Sequence, residues 1–126
     1  MTGLPDDLPR WSFGDSPELA DELLALVIQG RKTATCWALA QMAPTAPGER
    51  SVVLDGAGRP ALLVETLSCV AVRYCDVGPA FAALEGEGDL SLDHWRAAHH
   101  RYFTRAGVFA EDMDLWCETF RVVERL

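Results

Sequence analysis

The chain is poor in lysine, in paired cysteines and in long apolar runs. Of 126 residues, 11 are basic and 19 acidic, for a net charge of −8. That balance excludes a protein that coats nucleic acid through its global field, although it leaves room for a local basic cleft. No apolar stretch approaches the roughly 20 residues of a membrane span. The opening residues Met1-Thr2-Gly3-Leu4-Pro5-Asp6-Asp7 carry no basic segment followed by an apolar one. The expectation is a cytoplasmic protein with no membrane partner. The four cysteines (Cys36, Cys69, Cys75 and Cys117) form no C-x-x-C pair. They read as reduced thiols, with no metal and no cofactor expected.

Lysine scarcity is the most informative of these lacks. Ten of the eleven basic residues are arginine, and Lys32 is the only lysine. Burial lowers the pKa of a lysine, whereas an arginine effectively never gives up its proton. Lys32 is therefore a candidate for chemistry that a guanidinium cannot perform.

What is present is an ordinary globular composition, 49% hydrophobic and 24% charged. The length fits a single domain over residues 1–126, with residues 1–10 as an irregular lead-in. Ser16-Pro17 starts a helix, Leu19, Leu23, Leu26 and Val27 recur at helical spacing, and Gly30 ends it. Strands are expected at Thr33–Trp37, Ser51–Asp55, Ala61–Leu67, Cys69–Cys75 and Leu115–Val123. Short and long helices are expected at Pro79–Leu84 and Leu92–Arg105. The order predicts an α+β fold with a small, mainly antiparallel sheet, closed into a β-barrel with flanking helices.

Three stretches carry candidate chemistry. In Gly30-Arg31-Lys32-Thr33-Ala34-Thr35 the lysine follows a helix, so this is not a phosphate-binding P-loop, whose lysine precedes one. A bend at the helix exit would bring Lys32 and Thr35 together, and a hydroxyl beside an amine of depressed pKa is an activated nucleophile. Glu85-Gly86-Glu87-Gly88-Asp89 packs three carboxylates between glycines, reads as a non-helical turn, and suits an acid or base of shifted pKa. The segment His94 to Arg105 combines arginines with aromatics and lacks acids from His94 to Ala110. Phosphate contact and base stacking use such a surface.

Together, Phe13-Gly14-Asp15-Ser16-Pro17, the Gly-x-Lys-Thr-x-Thr element, Val53-Leu54-Asp55-Gly56 and the Glu85–Asp89 block with Trp95-Arg96 and His99 resemble an ASCH-domain protein. That resemblance runs from Trp11 to Val123 and implies a PUA-like fold, a small β-barrel with flanking helices and a cleft where the first helix meets the barrel. It also implies a nucleoside or single-stranded RNA ligand. Family members include an amidohydrolase of N4-acetylcytidine and others reported as ribonucleases. By position, the catalytic set is Lys32, Thr35 and Glu87, with Lys32 as base and Thr35 as nucleophile. Arg31, Thr33, Glu85, Trp95, Arg96, His99 and Arg101 are the expected substrate contacts. The readings left open are amide hydrolysis of an N4-acylcytidine-type substrate, ribonuclease action, and a non-catalytic RNA- or nucleotide-binding module.

Overall fold

A computed structural model of the protein describes residues 8–126, and the first seven residues of the expected lead-in lie outside it. The lead-in is not wholly irregular, because β1 (Arg10–Trp11) pairs in parallel with β3 (Arg50–Leu54). Helix α1 (Pro17–Ile28) begins as its sequence requires: the Ser16 hydroxyl accepts from the Leu19 amide at 3.1 Å, and Pro17 takes the first turn, where no amide proton is needed. Strand β2 (Ala34–Ala38) follows at once.

Strand β4 (Pro60–Arg73) corrects the expectation of two strands over Ala61–Cys75. Its pairing with β5 (Asp114–Arg125) shifts register between Thr66 and Ser68, so Leu67 is a bulge. Ser68 looks like a break in the sequence, yet its hydroxyl lies 2.6 Å from that of Thr119 across the ladder, and no glycine or proline is there to turn the chain. A single 3₁₀ turn (Tyr74–Asp76) leads to α2 (Pro79–Glu85) and α3 (Leu92–Arg105), the latter capped by the Ser91 hydroxyl.

The five strands form one mixed sheet in the order β1-β3-β4-β5-β2. β1 and β2 are its two edges, so the sheet is open and the expected barrel closure is not found among the described residues. The two-residue β1 gives too short a ladder to close it. Along β5 the buried positions change from Leu115 and Cys117 to Glu118 and Phe120. With a period of two residues per strand repeat, burial passes from one face to the other. Accordingly there are two apolar clusters. One packs Leu23, Leu24 and Val27 of α1 with Phe13, Val53, Leu62, Val64 and Phe120. The other gathers Tyr74, Val77, Ala82, Trp95, Phe103, Leu115 and Cys117 beneath α2 and α3.

Candidate functional site

A cavity of about 410 Å³ lies between these clusters, a volume in the range that holds a small-molecule ligand. Lys32 enters it from the link between α1 and β2. The link turns because Gly30 takes φ +80°, and the amides of Arg31 and Lys32 both bond the Leu26 carbonyl. Lys32 is 2% exposed and its ammonium donates to Glu85 Oε1 at 2.9 Å, to the Glu85 carbonyl at 3.3 Å and to Glu87 Oε2 at 3.2 Å. It also sits 5.5 Å from the Phe13 ring centre.

Glu85 is the last residue of α2, which corrects the expectation that the whole acidic block is non-helical. Gly86 follows in the left-handed region at φ +73°. A Cβ there would collide with the Arg31 carbonyl and the Lys32 amide, so only glycine lets the helix end press against the lysine-bearing link. Thr33 donates its amide to the Leu84 carbonyl at 2.8 Å and fastens the same junction.

The second oxygen of Glu85 is a hub. Glu85 Oε2 accepts from Trp95 Nε1 at 2.7 Å and from Cys36 Sγ at 3.3 Å, and lies 3.3 Å from His99 Nε2. His99 Nδ1 bonds the Trp95 carbonyl at 2.8 Å, and its ring stacks on Trp95 with centres 4.3 Å apart. Cys36, Glu85 and His99 thus offer a thiol, a carboxylate and an imidazole with ligand atoms within 4.8 Å of one another. Distance in sequence hid this cluster: Cys36 and Glu85 are 49 residues apart.

Charge follows from these neighbours. Burial by itself would lower the Lys32 pKa, but Glu85 and then Glu87 outweigh it and the net shift is upward. The expected depressed lysine is therefore corrected: two carboxylates hold Lys32 as ammonium. Burial would raise the Glu85 pKa, but Lys32 and His99 hold it well below the usual carboxylate range. Burial would likewise lower that of His99, and the Glu85 charge reverses the direction and favours imidazolium. Burial, reinforced by Glu85, raises the Cys36 thiol well above its ordinary value.

Of the residues singled out by sequence, Lys32, Thr35, Glu85, Glu87, His99 and Arg101 line the cavity. Thr35 is buried on β2, and its hydroxyl is not a partner of Lys32 among the described residues. Both carboxylates touch Lys32, with Glu85 fully buried and the Glu87 side chain 21% exposed. Trp95 stands behind the site and holds Glu85. Arg31 and Thr33 are exposed and serve the junction rather than the cavity. Arg96 is exposed in a separate depression with Tyr74, His100 and Glu111. Sequence reasoning missed the contributions of Cys36, Trp11, Trp37, Met42 and Tyr102 to the walls. The aromatic richness of Trp11 and Phe13 ahead of the first helix was the available signal for one wall. Arg105 at the rim bonds Asp15 at 3.0 Å, so the apparently acid-free basic face is partly neutralised from elsewhere in the chain.

The protein is thus an α+β protein with a ligand-sized cleft whose floor is a buried network of charges. A family model of the ASCH domain matches residues 9–124, and the chain belongs to that family. A crystal structure of a protein from Enterococcus faecalis V583 superposes with a TM-score of 0.84 at 31% identity, covering 99% of this chain and 80% of that one. The ASCH domain from Lactobacillus crispatus JV V101 gives 0.81 at 34% identity, covering 91% of this chain and 80% of that one. No curated protein matches the sequence. Among the described residues no helix is long and apolar enough to cross a membrane.

Proposed function

We propose that the protein is a cytoplasmic amidohydrolase of a modified pyrimidine nucleoside, of the N4-acylcytidine class. The observation that carries this reading is the Lys32–Glu85–Glu87 network beneath an aromatic-walled cavity of nucleoside size that Thr35 also lines. Trp11, Trp37 and Tyr102 offer faces for a base, and Arg101 offers a donor at the rim.

The charge states redistribute the roles first assigned by sequence. Lys32, held as ammonium, polarises the acyl carbonyl and stabilises the oxyanion that forms. Glu87, less buried than Glu85, is the base. The Thr35 hydroxyl adds to the carbonyl carbon and passes its proton to Glu87. Glu87 returns that proton to the exocyclic nitrogen as the C–N bond breaks, releasing cytidine and leaving an acyl ester on Thr35. Water then cleaves the ester, which frees the carboxylic acid and restores the hydroxyl. Glu85 positions Lys32 throughout.

The test is incubation of the purified protein with N4-acetylcytidine and with a short single-stranded RNA, each followed by mass spectrometry. Release of cytidine, lost in Thr35→Val, supports the reading. Intact N4-acetylcytidine alongside cleaved RNA overturns it in favour of a ribonuclease. Arg101 beside aromatic rings is the feature that favours an RNA ligand. Binding to RNA with no turnover of either, and with affinity falling steeply as salt rises, indicates a binding module.

A further inference from the structure

The amidase reading leaves Cys36 and His99 without a task, although both line the cavity and both converge on one oxygen of Glu85. We propose that Cys36, Glu85 and His99 form a zinc site of three protein ligands whose fourth position opens into the cleft.

Geometry is the first support. Zinc bonds sulfur at about 2.3 Å and nitrogen or oxygen at about 2.0–2.2 Å, so the edges of a tetrahedron run to about 3.4–3.6 Å. The Glu85 Oε2 to Cys36 Sγ and Glu85 Oε2 to His99 Nε2 separations are both 3.3 Å, and the full set of ligand atoms falls within 4.8 Å. Two of the three edges thus match a zinc tetrahedron, and the Cys36 Sγ to His99 Nε2 edge is no longer than 4.8 Å. Thiolate, imidazole and carboxylate in a four-coordinate set is a borderline-soft donor combination that suits zinc better than magnesium or calcium.

The surrounding bonds are those of a supported metal site. His99 Nδ1 is engaged by the Trp95 carbonyl at 2.8 Å, which fixes the ring and directs Nε2 at the cluster. Glu85 is gripped on one oxygen by Trp95 Nε1 and on the other by Lys32. Neither ligand has freedom to swing away.

Binding forms the Zn–S, Zn–N and Zn–O bonds and releases to solvent the Cys36 thiol proton and any proton on His99 Nε2. The Lys32 ammonium remains opposed by Glu85 Oε1 and Glu87.

This inference is independent of the amidase reading, because its test counts metal rather than product. Reduced, chelator-treated protein is titrated with Co²⁺ and then Zn²⁺. The expected result is one equivalent of Co²⁺ with a thiolate-to-cobalt charge-transfer band, displaced by one equivalent of Zn²⁺. Cys36→Ser and His99→Gln should each weaken binding by about 100-fold or more, while Cys75→Ser, at an exposed thiol, leaves it unchanged. In the unaltered protein, Zn²⁺ should slow alkylation of Cys36 but not of Cys75, read by peptide mass mapping. Cobalt binding with no thiolate band, or equal alkylation of Cys36 with and without Zn²⁺, overturns the proposal even if a variant fails to fold.

Discussion

Glu85 and Glu118 are both buried carboxylic acids, 1% and 4% exposed, and their environments push them in opposite directions. Around Glu85 an ammonium and an imidazole outweigh burial and keep the carboxylate ionised. Around Glu118 burial dominates, because its partners are the neutral hydroxyls of Thr66 and Thr45 at 2.5 and 2.7 Å, and the pKa rises. Two equally hidden acids thus differ through what faces them and not through depth. The first belongs to a cleft where charge is held against the cost of desolvation. The second ties the 41–50 loop to the sheet, where burial shifts its equilibrium toward the protonated form.

The largest way to break this contrast is to remove the cation. Lys32→Met leaves Glu85 buried with its principal partner gone, and should destabilise the fold by about 3–5 kcal/mol. Urea unfolding checks it, and a loss below about 1 kcal/mol would mean that the ion pair is not what holds Glu85 charged. Next in size is a separation of the two carboxylates on Lys32. Glu87→Gln should cut turnover of N4-acetylcytidine by about 10²-fold, the scale of a lost acid–base group, with little change in stability because its side chain is partly solvated. Glu85→Gln should instead lower the urea midpoint. If both variants lose only activity, the division into a positioning and a proton-transferring acid fails.

How much of this was legible differs by element. The helix caps at Ser16 and Ser91 and the apolar spacing of α1 are local signals, and both helices begin where those residues place them. The solitude of Lys32 pointed to the one lysine at the centre of the site. The bulged β4 was not legible, because a one-residue bulge at Leu67 leaves no turn residue to mark it and a polar Ser68 imitates a break. The open sheet was not legible either, since closure depends on edge lengths that a strand pattern does not specify. The sign of the Lys32 shift was hidden for a related reason: burial and pairing act oppositely, and only the positions of Glu85 and Glu87 decide between them. Arg96 was misplaced because its neighbour Trp95 reaches the site while the next residue along α3 points away.

A smaller effect sharpens the role of the junction. Gly86→Ala forces a side chain into the left-handed region and against the Arg31 carbonyl, so the fold should lose on the order of 1–2 kcal/mol. A stability equal to that of the unaltered protein would show that the end of α2 is free to move away from Lys32. The smallest effect is the pH signature of Glu118. Its pKa is higher in the folded chain than the ordinary 4.5, so between those two values the folded protein holds more protons than the unfolded one. Stability from this group is therefore greatest below the unfolded value and declines as pH rises through the folded one. Glu118→Gln should remove that decline, seen as a narrowing stability gap between variant and unaltered protein at acid pH. Unaltered protein that instead loses stability relative to the variant as pH falls would place Glu118 with Glu85 and erase the contrast.

The contact between Lys32 and Glu85 spans 53 residues of chain, and that separation has a kinetic meaning. Neither the lysine nor the acid can be buried at low cost until the other arrives, and closing so long a loop is entropically slow. Strands β3 and β4, joined by a short turn, form from neighbours. The charged floor must wait for the helices α2 and α3 to return to the exit of α1. Assembly of the cleft is thus expected late in folding, and during synthesis the two halves of its charged floor cannot meet until well over half of the chain has emerged.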